Sequence, residues 1–228
     1  MTDPRLLSLL HFGDSAFPTG GYAHSFGLET YCQSGVVRVR GDLERFLVAQ
    51  LEGQIGPCDA TAAVGVLKAA ADDLAACRAV DDTLEAMKAV REFREASRQM
   101  GRQTLRVAAA LTEDARLVAY ASDVERALAP GHHAVAYGLA AAALGWTAEA
   151  TATAYLYSAT ALLVGAALRL LPMGQLEGQR VLWALHPVIE RVAREAALRD
   201  VADLWSFAPG LELAGIRHAS LEMRLFRS

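Results

Sequence analysis

Residues 151–168 run for eighteen positions without a charged side chain, and no other stretch of the chain constrains the fold as much. A helix of that length rises about 27 Å, close to the depth of a bilayer's hydrocarbon core. Against a membrane span stand Thr151, Thr153, Tyr155, Tyr157, Ser158 and Thr160, six hydroxyls spread along it. A helix apolar all round but studded with hydroxyls fits the middle of a folded protein better than lipid. The expectation is therefore a central helix over 147–171, buried on all sides, in a chain that does not enter the membrane.

The rest of the sequence reads as helices packed around it. Alanine is abundant, aromatic residues are 7%, and Val/Ile runs are scarce, a balance that favours helix over sheet. Apolar residues recur at helical spacing between breakers. A short apolar start covers 5–11, and the next helix runs from a Thr19 cap through Tyr22, Phe26 and Leu28 to a stop at Gly35. Gly41-Asp42 opens another block, and Gly56-Pro57 closes it before a helix over 59–77. A long block from Asp81 towards Leu111 carries Glu85, Lys88, Arg91, Glu92 and Glu95 as a solvated face. Helices over 113–128, 132–144 and 147–171 follow, then 173–199, which Pro187 is expected to kink or divide. The expected architecture is all-α: one domain over 1–228, a bundle of about eight to ten helices with an extended tail over 206–228.

Composition narrows function by exclusion. Lys+Arg 22 against Asp+Glu 26 gives a net charge of −4 with no outstanding basic stripe, which argues against nucleic acid. The three cysteines, Cys32, Cys58 and Cys77, fit no disulfide framework or zinc spacing and read as reduced thiols. With an opening Met1-Thr2-Asp3-Pro4-Arg5 unlike a signal peptide, a cytoplasmic protein is expected. No P-loop, GxGxxG, HExxH or GxSxG pattern occurs, and adjacent His132 and His133 diverge by about 100° on a helix. A metal site gathered by folding from the scattered histidines stays open. No catalytic residue, bound metal or cofactor is expected.

Three segments exceed what packing demands. In the stretch from Asp14 to Glu29, Gly20 and Gly21 weaken a helix start by about 1 kcal/mol each, so something approaches the backbone closely there. Either a neighbouring helix or an anion at the helix N-terminus fits. At 170–179, Pro172 and Gly174 join two helices, and Gln175 and Gln179 share a face one turn apart. At the end, Leu221, Leu225 and Phe226 interleave with Arg217, Arg224 and Arg227, an arginine-and-aromatic mixture typical of interfaces. Such a tail orders when a partner arrives.

Taken in order, DSAFPTGGYAHSFGLE, SRQMG, HAVAYG, LRLLPMGQLEGQ and the RLFRS ending resemble the landmarks of F-type urease accessory proteins, from about residue 6 to 228. One departure is Ala219, where family members often carry glutamate after the tail histidine. The resemblance implies an all-α assembly factor, commonly dimeric and not an enzyme. It would bridge the D/H-type urease accessory protein and the G-type GTPase during nickel delivery to apo-urease. GTP and nickel would belong to the partners. The same resemblance implies partner-binding residues in Phe17, Pro18, Gly20, Gly21, Tyr22, His24, Ser25, Gly27 and Glu29, in Arg98 and Gly101, and in Gly174, Gln175 and Gln179. In the tail it implies Arg217, His218, Arg224, Leu225 and Phe226, docking on the D/H-type partner. Two other roles compete: Arg98 or Arg224 donated in trans to the GTPase, or a histidine-based nickel carrier.

Overall fold

The computed structural model describes residues 3–70 and 73–228; Met1 and Thr2, part of the N-terminal reading above, lie outside the described residues. Helix α1 (Pro4–Gly13) starts where Asp3 accepts the Arg5 amide and Pro4 occupies the first turn, a position that needs no N–H. The helix expected from Thr19 to Tyr31 does not form. A 3₁₀ turn at Gly21–Ala23 comes first, and α2 is confined to Leu28–Gln33. Gly20, Phe26 and Gly27 all take positive φ, which no continuous right-handed helix tolerates. Gly35, also at positive φ, stops α2 where expected.

Helix α3 (Arg40–Gln50) is opened by Asp42, whose carboxylate accepts the Arg38 and Val39 amides. Gly56-Pro57 does not end the block. The chain widens into a π-helical segment, Leu51–Ala60, and continues directly as α4 (Thr61–Ala69). Pro57 has no N–H for the Gly53 carbonyl four residues back, and the Phe207 amide takes that oxygen at 2.8 Å instead. The Thr61 hydroxyl satisfies Gly56 in turn. The expected helix over 59–77 is accordingly two: α4, then α5 (Leu74–Met87) capped by Asp73, with Ala71 and Asp72 outside the described residues.

The block expected to run unbroken to Leu111 breaks at 88–90 and resumes as α6 (Arg91–Thr112). Its charged face is also less solvated than expected, because Lys88 turns inward to Asp59 and Glu92 is largely covered. Helices α7 (Ala115–Glu125), α8 (His133–Ala143), α9 (Ala148–Leu170) and α10 (Gln175–Leu198) follow, and α11 (Pro209–His218) closes the series. Pro187 sits inside α10 without dividing it, on an exposed face of the helix. With α3 and α4 joined, these are ten helical segments, and no strand occurs among the described residues.

The enclosed centre is α8 rather than α9. Every residue from His133 to Ala141 is buried, because small side chains let α4 and α6 close on it from two sides. A Cβ on Gly138 would lie 2.4 Å from the Ala63 carbonyl oxygen. Helix α9 packs along α10 with one side, and only half of its apolar window is buried. Thr153 and Ala154 are half-buried, Tyr157 and Gly165 exposed, so its uncharged surface has an open face. Length and apolar composition alone would let α9 cross a membrane.

Candidate functional site: a tail docked on the glycine-rich segment

The segment from Asp14 to Glu29 is a shaped loop held by short-range bonds. Asp14 accepts the Ala16 amide at 2.7 Å, and the Thr19 hydroxyl accepts the Gly21 amide at 3.1 Å. Gly21 lies flat on α9, where a Cβ would meet the Leu162 side chain at 2.3 Å. The close approach that the paired glycines foretold is therefore helix packing. Phe17, from the same loop, inserts into the core against Phe12.

The chain's end folds back over this loop. Residues 206–228 are not a free tail: α11 occupies their first half, and 219–228, though non-helical, are bonded throughout. The Gln33 amide donates to the Met223 carbonyl, and the Arg227 amide donates to Ala23. The main-chain oxygen of Ser228 accepts the amides of Ser25 and Phe26 at 2.6 and 3.0 Å and the Ser25 hydroxyl at 2.7 Å. Phe26 thereby holds a φ of 47°, a strain of about 1–2 kcal/mol for a residue with a Cβ. Order in the tail needs no partner, contrary to the expectation above.

A charged cluster clamps the same contact. The imidazole of His218, fully buried at the end of α11, lies between two carboxylates: Nε2 is 3.0 Å from Glu29, and Nδ1 is 2.7 Å from Glu92. The ring thereby joins Glu29 of α2 to Glu92 of α6. Glu29 also accepts the Leu225 and Phe226 amides at 2.7 and 3.0 Å, and Arg224 donates to Glu92 at 3.0 Å. Burial pushes the Glu29 carboxyl up, but these amides and His218 outweigh it and hold it below the usual range. Alongside, Arg169 of α9 stacks between the rings of Tyr22 and Phe226, 4.1 Å from each centroid, and donates to the Tyr22 carbonyl. Burial, and then the charge of Arg227, push the His24 imidazole down to about 4, and its Nδ1 lies 2.9 Å from the Ser228 hydroxyl.

Several expected contact residues are thus interior parts. Phe17, Gly21, His24, Ser25, Gly27, Glu29, His218 and Phe226 are buried and hold the surface together without facing a partner. Tyr22, at 77% exposure, and Pro18, Gly20, Arg217, Arg224 and Leu225 remain outward. Gly101 is likewise interior, since a Cβ there would lie 2.0 Å from the Gly131 carbonyl oxygen at the α6–α8 crossing. Arg98 is separate from the tail and reaches Glu85, 3.5 Å away. Gly174, Gln175 and Gln179 stay exposed at the start of α10 and join no cluster. Sequence reasoning missed Glu92, Gln33 and Arg169, whose partners lie far along the chain. It also missed Phe207, Leu213, Ile216 and Met223, which form the outward apolar side of α11 and the tail. Leu213 and Ile216 lie three residues apart beside Arg217, and that spacing was the available signal.

Among the described residues no group of three or more His, Cys, Asp or Glu is placed to hold a metal. The class defined by fold and site is an all-helical domain whose most elaborate construction is a self-docked tail presenting an apolar surface. The UreF family model matches residues 37–186. Relatives called "Urease accessory protein UreF" include those of Bacillus sp. (strain TB-90), 32% identical over 98% of this chain and 99% of the relative. Another, from Paenarthrobacter aurescens, is 34% identical over 97% of both chains, and one from Cereibacter sphaeroides 34% over 98% of both. The chain belongs to the UreF family of urease accessory proteins.

Proposed function

We propose that this chain is a non-catalytic scaffold for urease maturation, bridging the D/H-type accessory protein and the G-type GTPase. Through that bridge it modulates GTP-dependent nickel insertion into apo-urease, with GTP and nickel held by the partners. The observation that carries the reading is the outward side of the docked tail. Phe207, Leu213, Ile216, Met223 and Leu225 are all more than half exposed, and Tyr22, Arg217 and Arg224 are exposed as well. Exposed apolar residues interleaved with arginine are the composition of a protein interface. We assign a second copy of the chain to the exposed Leu6, Leu7 and Leu10 of α1, which packs on α9. Three free cysteines, two of them buried, fit the reducing cytoplasm. Arg98 and Arg224 each already face a carboxylate, which lends nothing to donation of either in trans.

The test is a pulldown with the D/H-type partner using Leu213→Asp/Ile216→Asp, both at exposed positions. The fold is expected to survive and binding to fall at least tenfold; undiminished binding overturns the assignment. Light scattering on Leu6→Asp/Leu10→Asp tests the dimer, which is expected to become monomeric.

A further inference from the structure

Beneath the loop 13–22, walled by α6, α8 and α9, lies a cavity of about 200 Å³. For scale, a cavity of about 150 Å³ accommodates benzene. Its sides are apolar and largely flat: Phe12, Phe17, Phe26, Phe93, Met100 and Leu162. One edge is polar. There Lys88 donates to Asp59 at 2.7 Å, both side chains about nine-tenths buried. His133 and Tyr137 line the same space, and the His133 Nε2 and the Tyr137 hydroxyl have no hydrogen-bond partner among the described residues. Tyr155 completes the edge, with its ring 5.3 Å from those of His133 and Tyr137.

Those groups specify a ligand class. A buried polar group without a partner costs about 1–3 kcal/mol, so a ligand that reaches either group with a hydrogen bond recovers part of that cost. Lys88 and Asp59 cancel in charge. Burial, then the nearby Lys88, push the His133 imidazole down to about 4, so it is neutral at pH 7. A charged ligand would leave water with no net countercharge to meet it. An uncharged one loses little and keeps both a donor, from Lys88 or Tyr137, and an acceptor, the second Asp59 oxygen. The exposed Asp14, Ser15 and Tyr22 belong to the same lining, so the cavity reaches the surface beside the loop.

We propose that this cavity is a binding site for an uncharged, single-ring-sized organic molecule with hydrogen-bonding groups at one edge, of which an aromatic carboxamide is the simplest form. The proposal does not rest on the partner surfaces above, although Tyr22 is common to both.

Benzamide is the probe, with benzoate and benzamidinium as charged isosteres, applied to the full chain carrying ¹³C-labelled methionine methyls. Benzamide at millimolar concentration is expected to shift the Met100 methyl saturably, with each charged isostere at least tenfold weaker. Tyr137→Phe removes an unpartnered hydroxyl, so it should leave Tm unchanged or raised while weakening benzamide at least fivefold. That split separates a binding role from a structural one. An unmoved Met100 methyl overturns the proposal, as does equal binding of benzoate. Wild-type affinity in Tyr137→Phe also overturns it; should that variant fail to fold, the wild-type titrations decide alone.

Discussion

Replacing Glu29 by glutamine changes almost no volume, yet the bonding around it predicts a large effect. One carboxylate oxygen accepts the Leu225 amide, and the other accepts Phe226 and His218. An amide offers one oxygen and one NH₂, so in either orientation its nitrogen meets at least one donor N–H. The loss is one charge-assisted hydrogen bond, about 1.5–3 kcal/mol, together with a buried donor left unpaired. Tail opening should become easier by about 3 kcal/mol, a factor of about a hundred. Native-state hydrogen exchange at pH 7 reads this directly, with the Leu225 and Phe226 amides exchanging about a hundredfold faster in Glu29→Gln while α8 amides change least. Exchange within threefold of wild type at those two amides would refute the clamp. The pH dependence follows in sign. Because Glu29 is held below the usual carboxylate range when folded, its contribution is complete above that range and is lost as pH falls through the lowered value.

Gly101→Ala should cost about 3 kcal/mol or more in urea unfolding, because its methyl would meet backbone atoms of 131–133 that cannot yield. Lys88→Met should cost about 3–5 kcal/mol by stranding Asp59, and adding Asp59→Leu should recover most of it. Between pH 6.5 and 5, stability should fall on acidification by about 1 kcal/mol per pH unit for each of His24, His132 and His133. Burial holds all three near 3 to 4 when folded, so only the unfolded chain takes up their protons there. Asp81, raised by burial to about 6, acts in the opposite sense and offsets one of them; urea midpoints across that range check the net slope.

Local rules carried far in this chain, and where they stopped is instructive. The ends of α9 and α10, the Asp42 start of α3 and the Gly35 stop follow from capping and breaking chemistry within a few residues. Gly56-Pro57 reads as a break, but the remedy for the missing N–H lies 150 residues downstream in Phe207, beyond any local rule. Periodicity reports faces and not depth, so the longer uncharged helix looked central while the shorter α8 is the enclosed one. Lys88 and Glu92 sit in a charged pattern indistinguishable from a solvated face. Only the break at 88–90 and the arrival of α11 bury them. The site was legible as two segments, because both spend residues that local structure does not need. That they meet each other was not, since the bonds joining Glu29 to His218 and Phe226 span 189 and 197 residues.

The meeting of those segments changes how their residues must be assigned. A tail ordered within its own chain lowers the conformational cost of association, because the backbone entropy has been lost on folding and not on binding. It also divides one stretch of sequence into two functional kinds by burial alone. His218 and Phe226 face inward and act on a partner only by fixing the backbone, so their loss should lower stability and binding together. Leu213, Ile216, Met223 and Leu225 face outward, and their loss should lower binding while leaving stability nearly unchanged. Were both kinds to behave alike, the tail would be an ordering peptide after all, and the surface attributed to it would exist only in the complex.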